Sequence, residues 1–549
     1  MDYKRTIITA IAACLLAMGS IGAATSYGAE KNEYLKAVTY FGDEWPINYW
    51  NSEDDAMESN MEKIAEDGFN SIILVVPWRE FQPNTISETY NENAFKRLDE
   101  VMDCADRHGL LVVLRLGYSW DYYGSYELPK RFANVIAKNS SDRHAWLEYS
   151  KKIYERAAAH KNFHSGFITW EDFWAYTYNL NPDTPLNNRR VMAQKSGYTG
   201  YLMEHYTLQE VGKQYEKQFN SFGEVYLPNR NHPSAKLFYD FYDNFLIELL
   251  KDTQKVFPEL SLEVRADGDP IYGADGDYTY YSHKATYPCD GAPYSALMYS
   301  VSMGQANNNN RISAKEALDT MRDNMSYLYQ LSGKPYFVEQ LLYMDSTEAY
   351  SYNTQIEESQ VGEFVRSLKP VLSETTSGYG LWVYRNYVNN CIYNSQFALG
   401  KEGWEFSGAA SVTEKNGSSM ALLPAGGSIS QSFKGRLPSS KKIKIEFYAE
   451  SDFAGASVTM KIGDTEKIFR ISEAGTYAAE IPWTDTQKLV FTAGKRVYLD
   501  NIRVYTYVQN GRIYEKDGTE ADLADDFRIL NEELQADIRN PLRYLLITE

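Results

Sequence analysis

Gly166-Phe-Ile-Thr-Trp-Glu-Asp-Phe-Trp174 is an apolar, β-rich run that delivers a carboxylate, Glu171, between two indoles, Trp170 and Trp174. Aromatic faces on either side would partly desolvate that acid and favour its neutral form, which is the condition a general acid requires. Another reading fits the same residues: Trp170 and Trp174 as core, and Glu171 as a solvated charge at a strand end. The position of the run within the chain separates the two.

On both sides of it, short apolar runs alternate with longer amphipathic segments, the pattern of a parallel sheet with crossover helices. The strand-like runs are Ala37–Tyr40, Phe69–Trp78, Leu110–Leu116, the opening stretch, Leu260–Arg265, Ser295–Val301, Pro335–Tyr343 and Gly378–Tyr384. Between them the spacing predicts helices over Met57–Asp67, Asn91–His108, His144–Ala159, Ala235–Phe257, Ala314–Leu331 and Gln360–Leu372. In the second of these, Phe95, Leu98, Val101 and Met102 share one face. Eight such units close a (β/α)8 TIM barrel, and the opening stretch is its fourth strand. A doubly wound open sheet is the rival, but no Gly-rich phosphate loop follows the first run.

In a barrel of this kind the chemistry sits where strands terminate. The ends carry Asp43 and Trp45, Trp78 and Arg79, Arg115 with Tyr118 and Trp120, Glu171 and Trp174, Arg265 and Asp267, Tyr299, Glu339, and Trp382. Glu171 and Glu339 stand apart, because strands four and seven lie nearly opposite in an eight-stranded ring and their carboxylates would face each other across the mouth. Retaining glycoside hydrolysis needs an acid/base and an ionised nucleophile about 5–5.5 Å apart. Arg115, Arg265 or a Tyr299 hydroxyl would keep Glu339 ionised and oriented.

These residues resemble the retaining β-glycoside hydrolases of the 4/7 superfamily, or clan A, which includes cellulase, mannanase and β-galactosidase families. The resemblance covers roughly residues 34 to 393 and rests on Glu171 ending the fourth unit, Pro335-Tyr-Phe-Val-Glu339 ending the seventh, Val76-Pro-Trp78 closing the second and Trp382 on the eighth. It implies that Glu171 is the acid/base and Glu339 the nucleophile. The substrate would be an oligo- or polysaccharide, held by Trp45, Trp78, Arg115, Tyr118, Trp120, Trp174, Arg265, Asp267, Tyr299 and Trp382. One position departs: Trp170 stands where these enzymes usually carry an Asn that binds the sugar 2-hydroxyl.

The rest of the 549-residue chain agrees in character. A formal charge of −19 without a Lys/Arg-rich run argues against nucleic acid and anionic membrane surfaces as partners. The 45 Tyr and 10 Trp are the residue types that stack on sugar faces. Lys4 and Arg5, an apolar stretch from Ile7 to Ile21 and small residues to Ala24 form the pattern of a secretory signal, so residues 1–29 are expected to be a signal peptide and leader, with no integral membrane span after cleavage. Cys104, Cys289 and Cys391 have no metal-ligand spacing, and none of the seven His lies in an H-x-H or H-E-x-x-H arrangement, so no metal and no cofactor is expected.

Residues 34–393 are read as the barrel, and 394–507 as an antiparallel, jelly-roll-like β-sandwich of short alternating runs. Its opening Asn394-Ser-Gln-Phe with Gly403-Trp404, and its closing Leu499-Asp-Asn-Ile-Arg503, resemble carbohydrate-binding modules. Residues 508–549 hold a hairpin and a last helix whose Leu523, Phe527, Leu530, Leu534 and Ile538 form one stripe. No helix follows the eighth strand directly, so this last helix is expected to pack back on the barrel.

Overall fold

Eight short strands close into a parallel barrel in the computed structural model. It describes residues 33–538 except 43, 45, 85–88, 118–130, 132–133, 170–182, 267–269, 304, 306–308, 345–351, 434–441, 483–487 and 509. The strands are β1 Leu35–Thr39, β2 Ser71–Pro77, β3 Leu111–Gly117, β4 Phe163–Ile168, β5 Ser261–Val264, β6 Ser295–Ser300, β7 Tyr336–Leu342 and β8 Thr376–Leu381. They pair in chain order, and β8 closes on β1 with Leu35 opposite Gly378. Alternate side chains point inward. Leu35, Ala37, Ile73, Val113, Phe167, Ala296 and Phe337 form an apolar plug within the ring. The opposite faces of the strands pack on the surrounding helices in a much larger core.

The helices begin where polar side chains can satisfy exposed N–H groups. Asn91, Ser140 and Ser313 accept backbone N–H bonds at the starts of Glu92–Arg107, Ser141–Ala157 and Ala314–Ser332. Gly333, at φ 66°, ends the last of these in the left-handed conformation that glycine adopts freely. The helix expected over Gln360–Leu372 is two, Val361–Arg366 and Lys369–Thr375. Pro370 explains the second start, since a proline lacks the N–H needed inside a helix but is tolerated in its first turn. Among the described residues between β4 and β5, the helices Leu186–Lys195, Tyr198–His205 and Leu208–Gln214 precede the long helix Ala235–Gln254. Among the described residues no helix is long and apolar enough to cross a membrane.

Past β8 the chain builds two antiparallel sheets. The strands are β9 Tyr387–Asn390, β10 Glu405–Ser407, β11 Ser411–Lys415, β12 Ser418–Leu423, β13 Ser428–Ser432, β14 Ile443–Glu450, β15 Ala456–Ile462, β16 Thr465–Ile471, β17 Gly475–Ile481, β18 Lys488–Ala493 and β19 Val497–Val508. One sheet runs β11-β12-β19-β14-β17, with β9 added to β19, and the other runs β10-β13-β18-β15-β16. Phe447 of the first meets Phe491 of the second at 4.8 Å between ring centroids, in a shared apolar core.

The chain then returns to the barrel. Helix Ala524–Ile538 buries Phe527, Leu530 and Leu534. Phe527 lies 6.4 Å from Phe69 and 5.8 Å from Tyr343, ring to ring. Asn531 accepts from Tyr379 Oη at 2.6 Å and donates to the Asp67 carbonyl at 2.9 Å. Phe527→Ala should therefore destabilise the barrel by about 3–5 kcal/mol, the usual range for emptying a buried phenyl site. Urea titration followed by tryptophan fluorescence should show an earlier unfolding midpoint.

Glu80 sits where barrel and sandwich meet. Its Oε2 accepts from Tyr393 Oη at 3.3 Å and from Asn51 Nδ2 at 3.5 Å, and the Tyr393 backbone is bonded to Gln431 of β13. Burial pushes the Glu80 carboxyl up from 4.5 to about 7, against the opposing pull of Arg79 and the two hydrogen bonds. Because the folded state holds this proton more tightly, ionising Glu80 costs stability progressively between pH 4.5 and about 7. The loss is of order 3 kcal/mol. Glu80→Gln should match the wild-type melting temperature at pH 4 and exceed it at pH 8, as thermal melts at both pH values would register.

Candidate active site

The plug of apolar residues fills the barrel interior, and the next inward-facing layer toward the strand C-termini is polar. Arg115 of β3 organises it. Its Nη2 donates to Glu263 Oε2 at 2.9 Å and to Thr169 Oγ1 at 3.0 Å, while Nη1 donates to Gln340 Oε1 at 2.7 Å. The same Nη1 lies 4.0 Å from Glu339 Oε2, and the guanidinium is 5.9 Å from the Trp382 ring. The neighbours of β3 are β2 and β4, so a side chain reaching β5, β7 and the residue after β8 can do so only through the interior. Arg115, Glu263 and Glu339 are each almost wholly buried. Buried carboxylates need a compensating charge and donors, and Arg115 supplies both.

Glu263 is the most completely satisfied acid of the group. Besides Arg115 it accepts from Thr169 Oγ1 at 2.9 Å and faces Arg265 Nη2 at 3.4 Å. Two guanidinium groups therefore stand against two carboxylates. Trp382 packs on Phe41 at 5.7 Å and is joined to Val383 by a cis peptide bond.

The backbone of β7 explains how Glu339 and Gln340 both reach the interior. Phe337 pairs with Ala296 of β6, but the next pair is Gln340 with Met298, so β7 carries one extra residue there. The pairing with β8 slips over the same stretch. A bulge of this kind re-aims side chains. Phe337 and Glu339 keep the inward parity, Gln340 takes it over past the bulge, and Leu341 joins the outer core. Gly380 of β8 permits the close approach beside it, because a Cβ there would stand 2.8 Å from the Glu339 carbonyl oxygen and 2.7 Å from Ile73 Cδ1.

Of the expected site residues, Glu339, Arg115, Arg265 and Trp382 come together in or beside this cluster, with Arg265 on Glu263 rather than on Glu339. Two do not. Tyr299 shares the outward parity of Leu297 and lies in the layer between sheet and helices, where burial pushes its hydroxyl pKa up and Asn324 is its polar neighbour; it is not placed to orient Glu339. Trp78 begins the short helix Trp78–Phe81, so strand alternation has already ended. Its ring is buried against Trp146 at 5.4 Å and under Arg131 at 5.5 Å, and its Nε1 donates to Gln82 Oε1 at 2.7 Å. Glu171, Trp45, Tyr118, Trp120, Trp174 and Asp267, like Trp170, lie outside the described residues. Glu263, Thr169 and Gln340 were not anticipated. Glu263 has a legible signal, a carboxylate two residues before Arg265 in the strand-like run Leu260-Ser-Leu-Glu-Val264.

Arg115→Met would leave Glu263 and Glu339 buried without their shared cation. It should lower stability by about 3–5 kcal/mol, measurable by chemical denaturation at neutral pH.

No family model matches the sequence, and no curated protein matches it. Among solved structures, a β-galactosidase from the psychrophilic Marinomonas ef1 is similar at 12% identity and a TM-score of 0.42, over 64% of this chain and 54% of that one. An exo-β-1,4-mannosidase from Opitutaceae bacterium strain TAV5 is similar at 11% identity and 0.41, over 65% and 53%. A GH5_18 protein from Streptomyces cattleya in complex with GlcNAc is similar at 12% and 0.40, over 65% and 72%. The chain thus spans about half the length of the first two. These likenesses add nothing to the assignment of a reaction, which rests on the residues of this chain.

Proposed function

We propose that the protein is a glycoside hydrolase that cleaves β-glycosidic bonds of an oligo- or polysaccharide with retention of configuration. The observation that carries this reading is Glu339: a buried carboxylate on β7, above an apolar plug, with the Arg115 guanidinium 4.0 Å away. In the proposed cycle Glu339 attacks the anomeric carbon while Glu171, three residues past the end of β4, protonates the departing oxygen. Glu171 then takes a proton from water as that water releases the sugar from Glu339. Arg115 balances the charge of Glu339, and the Trp382 ring beside it offers an apolar face to a sugar. The signal-like N-terminus supports action outside the cell, and the sandwich is assigned a sugar-binding role on its module-like termini.

A non-hydrolytic polysaccharide-binding protein is the second reading, and Trp170 in place of the usual Asn favours it. A panel of β-glucans, mannans and galactosides separates the two. Turnover of one class by the wild type should fall roughly a thousandfold or more in Glu339→Gln, with folding retained. Full activity in that variant would refute the assignment, and sugar binding without turnover by the wild type would establish the second reading.

A further inference from the structure

Three residues with metal-binding side chains meet away from the barrel mouth, in the groove between helices Met57–Glu66 and Glu92–Arg107. Cys104 and His108 are four positions apart, so they lie on one face of the second helix and its C-terminal cap. Glu58, in the first turn of the other helix, reaches across to both. The Cys104 thiol donates to Glu58 Oε2 at 3.2 Å, and His108 Nε2 lies 2.9 Å from Glu58 Oε1. One ligand atom from each residue falls within 4.8 Å of the other two.

We propose that Glu58, Cys104 and His108 form a binding site for a divalent transition metal of the zinc class. Tetrahedral zinc with bonds of about 2.0–2.3 Å holds its ligand atoms roughly 3.3–3.6 Å apart. Cys104 Sγ and His108 Nε2 now stand 3.2 and 2.9 Å from different oxygens of Glu58, and the three ligand atoms all lie within 4.8 Å of one another, so an ion would draw the side chains onto one shared centre. One sulfur, one imidazole and one carboxylate select zinc or cobalt over magnesium or calcium, which prefer oxygen alone.

The surroundings favour a cation. The groove opens into a pocket of about 440 Å³, lined by the carboxylates Asp54, Asp55, Glu58, Glu100 and Asp103 against the guanidinium groups of Arg97 and Arg107. Arg107 Nη2 pairs with Glu58 Oε2 at 2.5 Å, and this arginine is more than half exposed, so it can swing into solvent as the ion enters. Asp103 is held by His160 Nδ1 at 3.0 Å and Asp54 accepts from Tyr40 Oη at 2.5 Å, so these two neighbouring carboxylates already have partners of their own. As the sulfur–metal bond forms, the Cys104 proton passes to solvent.

Cobalt(II) added to the full-length reduced protein tests this directly, because thiolate coordination produces a charge-transfer band in the near ultraviolet. One equivalent should saturate the band, and zinc should displace the cobalt. Cys104→Ser should abolish the band. His108→Ala and Glu58→Gln, which alter exposed or partly exposed positions and keep the thiol, should each weaken zinc binding at least about tenfold by calorimetry. If Cys104→Ser does not fold, these two variants decide the matter. Absence of the band, its persistence in Cys104→Ser through Cys289 or Cys391, or unchanged zinc affinity in both His108→Ala and Glu58→Gln would overturn the site.

Discussion

The guanidinium of Arg115 is the constraint on which the inner half of the barrel depends. Closing eight parallel strands forces every second side chain into a space without bulk water, so any carboxylate placed there must be compensated locally. Arg115 touches Glu263, Thr169 and Gln340 and lies 4.0 Å from Glu339, thereby tying β3 to β4, β5 and β7. Below it the plug around Phe167 and Phe337 needs no such device. The barrel is thus divided between a dry lower layer and a charged upper layer.

The backbone is shaped to the same purpose. The extra residue in β7 lets Glu339 and Gln340 both contribute inward, and Gly380 on β8 removes the side chain that would otherwise press on the Glu339 carbonyl. Remote elements keep these strands in place. Helix Ala524–Ile538 packs behind β1 and β8 through Tyr379, Lys36 and Asn531, although nearly five hundred positions separate Lys36 from Asn531. The sandwich is anchored to the loop after β1 by Asn48 Nδ2, which donates to the carbonyls of Asn390 and Ile392, and by Arg503 paired with Glu44 at 2.8 Å.

Much of this was legible in the sequence because strand and helix periods differ. Each of the eight strand-like runs overlaps a barrel strand, the opening run only at Gly166–Ile168 because residues 170–174 lie outside the described ones, and the helix Asn91–His108 is observed at Glu92–Arg107 with Asn91 as its cap. What escaped depends on parity and on contacts distant in sequence. The position of Tyr299 near a strand end points to the mouth, yet Ala296 faces in, which sends Tyr299 outward. Trp78 looked like a strand terminus, but Pro77 ends β2 and a helix begins at the indole. Gln340 could not be found by alternation, because the bulge that turns it inward leaves no mark in residue pattern. Cys104 and His108 lacked metal-ligand spacing as a linear motif; only the packing of two helices brings Glu58 to them.

The proposed chemistry needs Glu339, within β7, and Glu171, past the end of β4, to act as a pair on one glycosidic bond. The most direct measurement is the separation of the Glu171 and Glu339 carboxyl groups in a high-resolution crystal structure with a bound sugar. A retaining pair should stand about 5–5.5 Å apart, with both groups facing the sugar's anomeric carbon. A separation of about 6.5–9.5 Å, which suits inverting chemistry, or a Glu171 side chain turned out of the barrel mouth would contradict it.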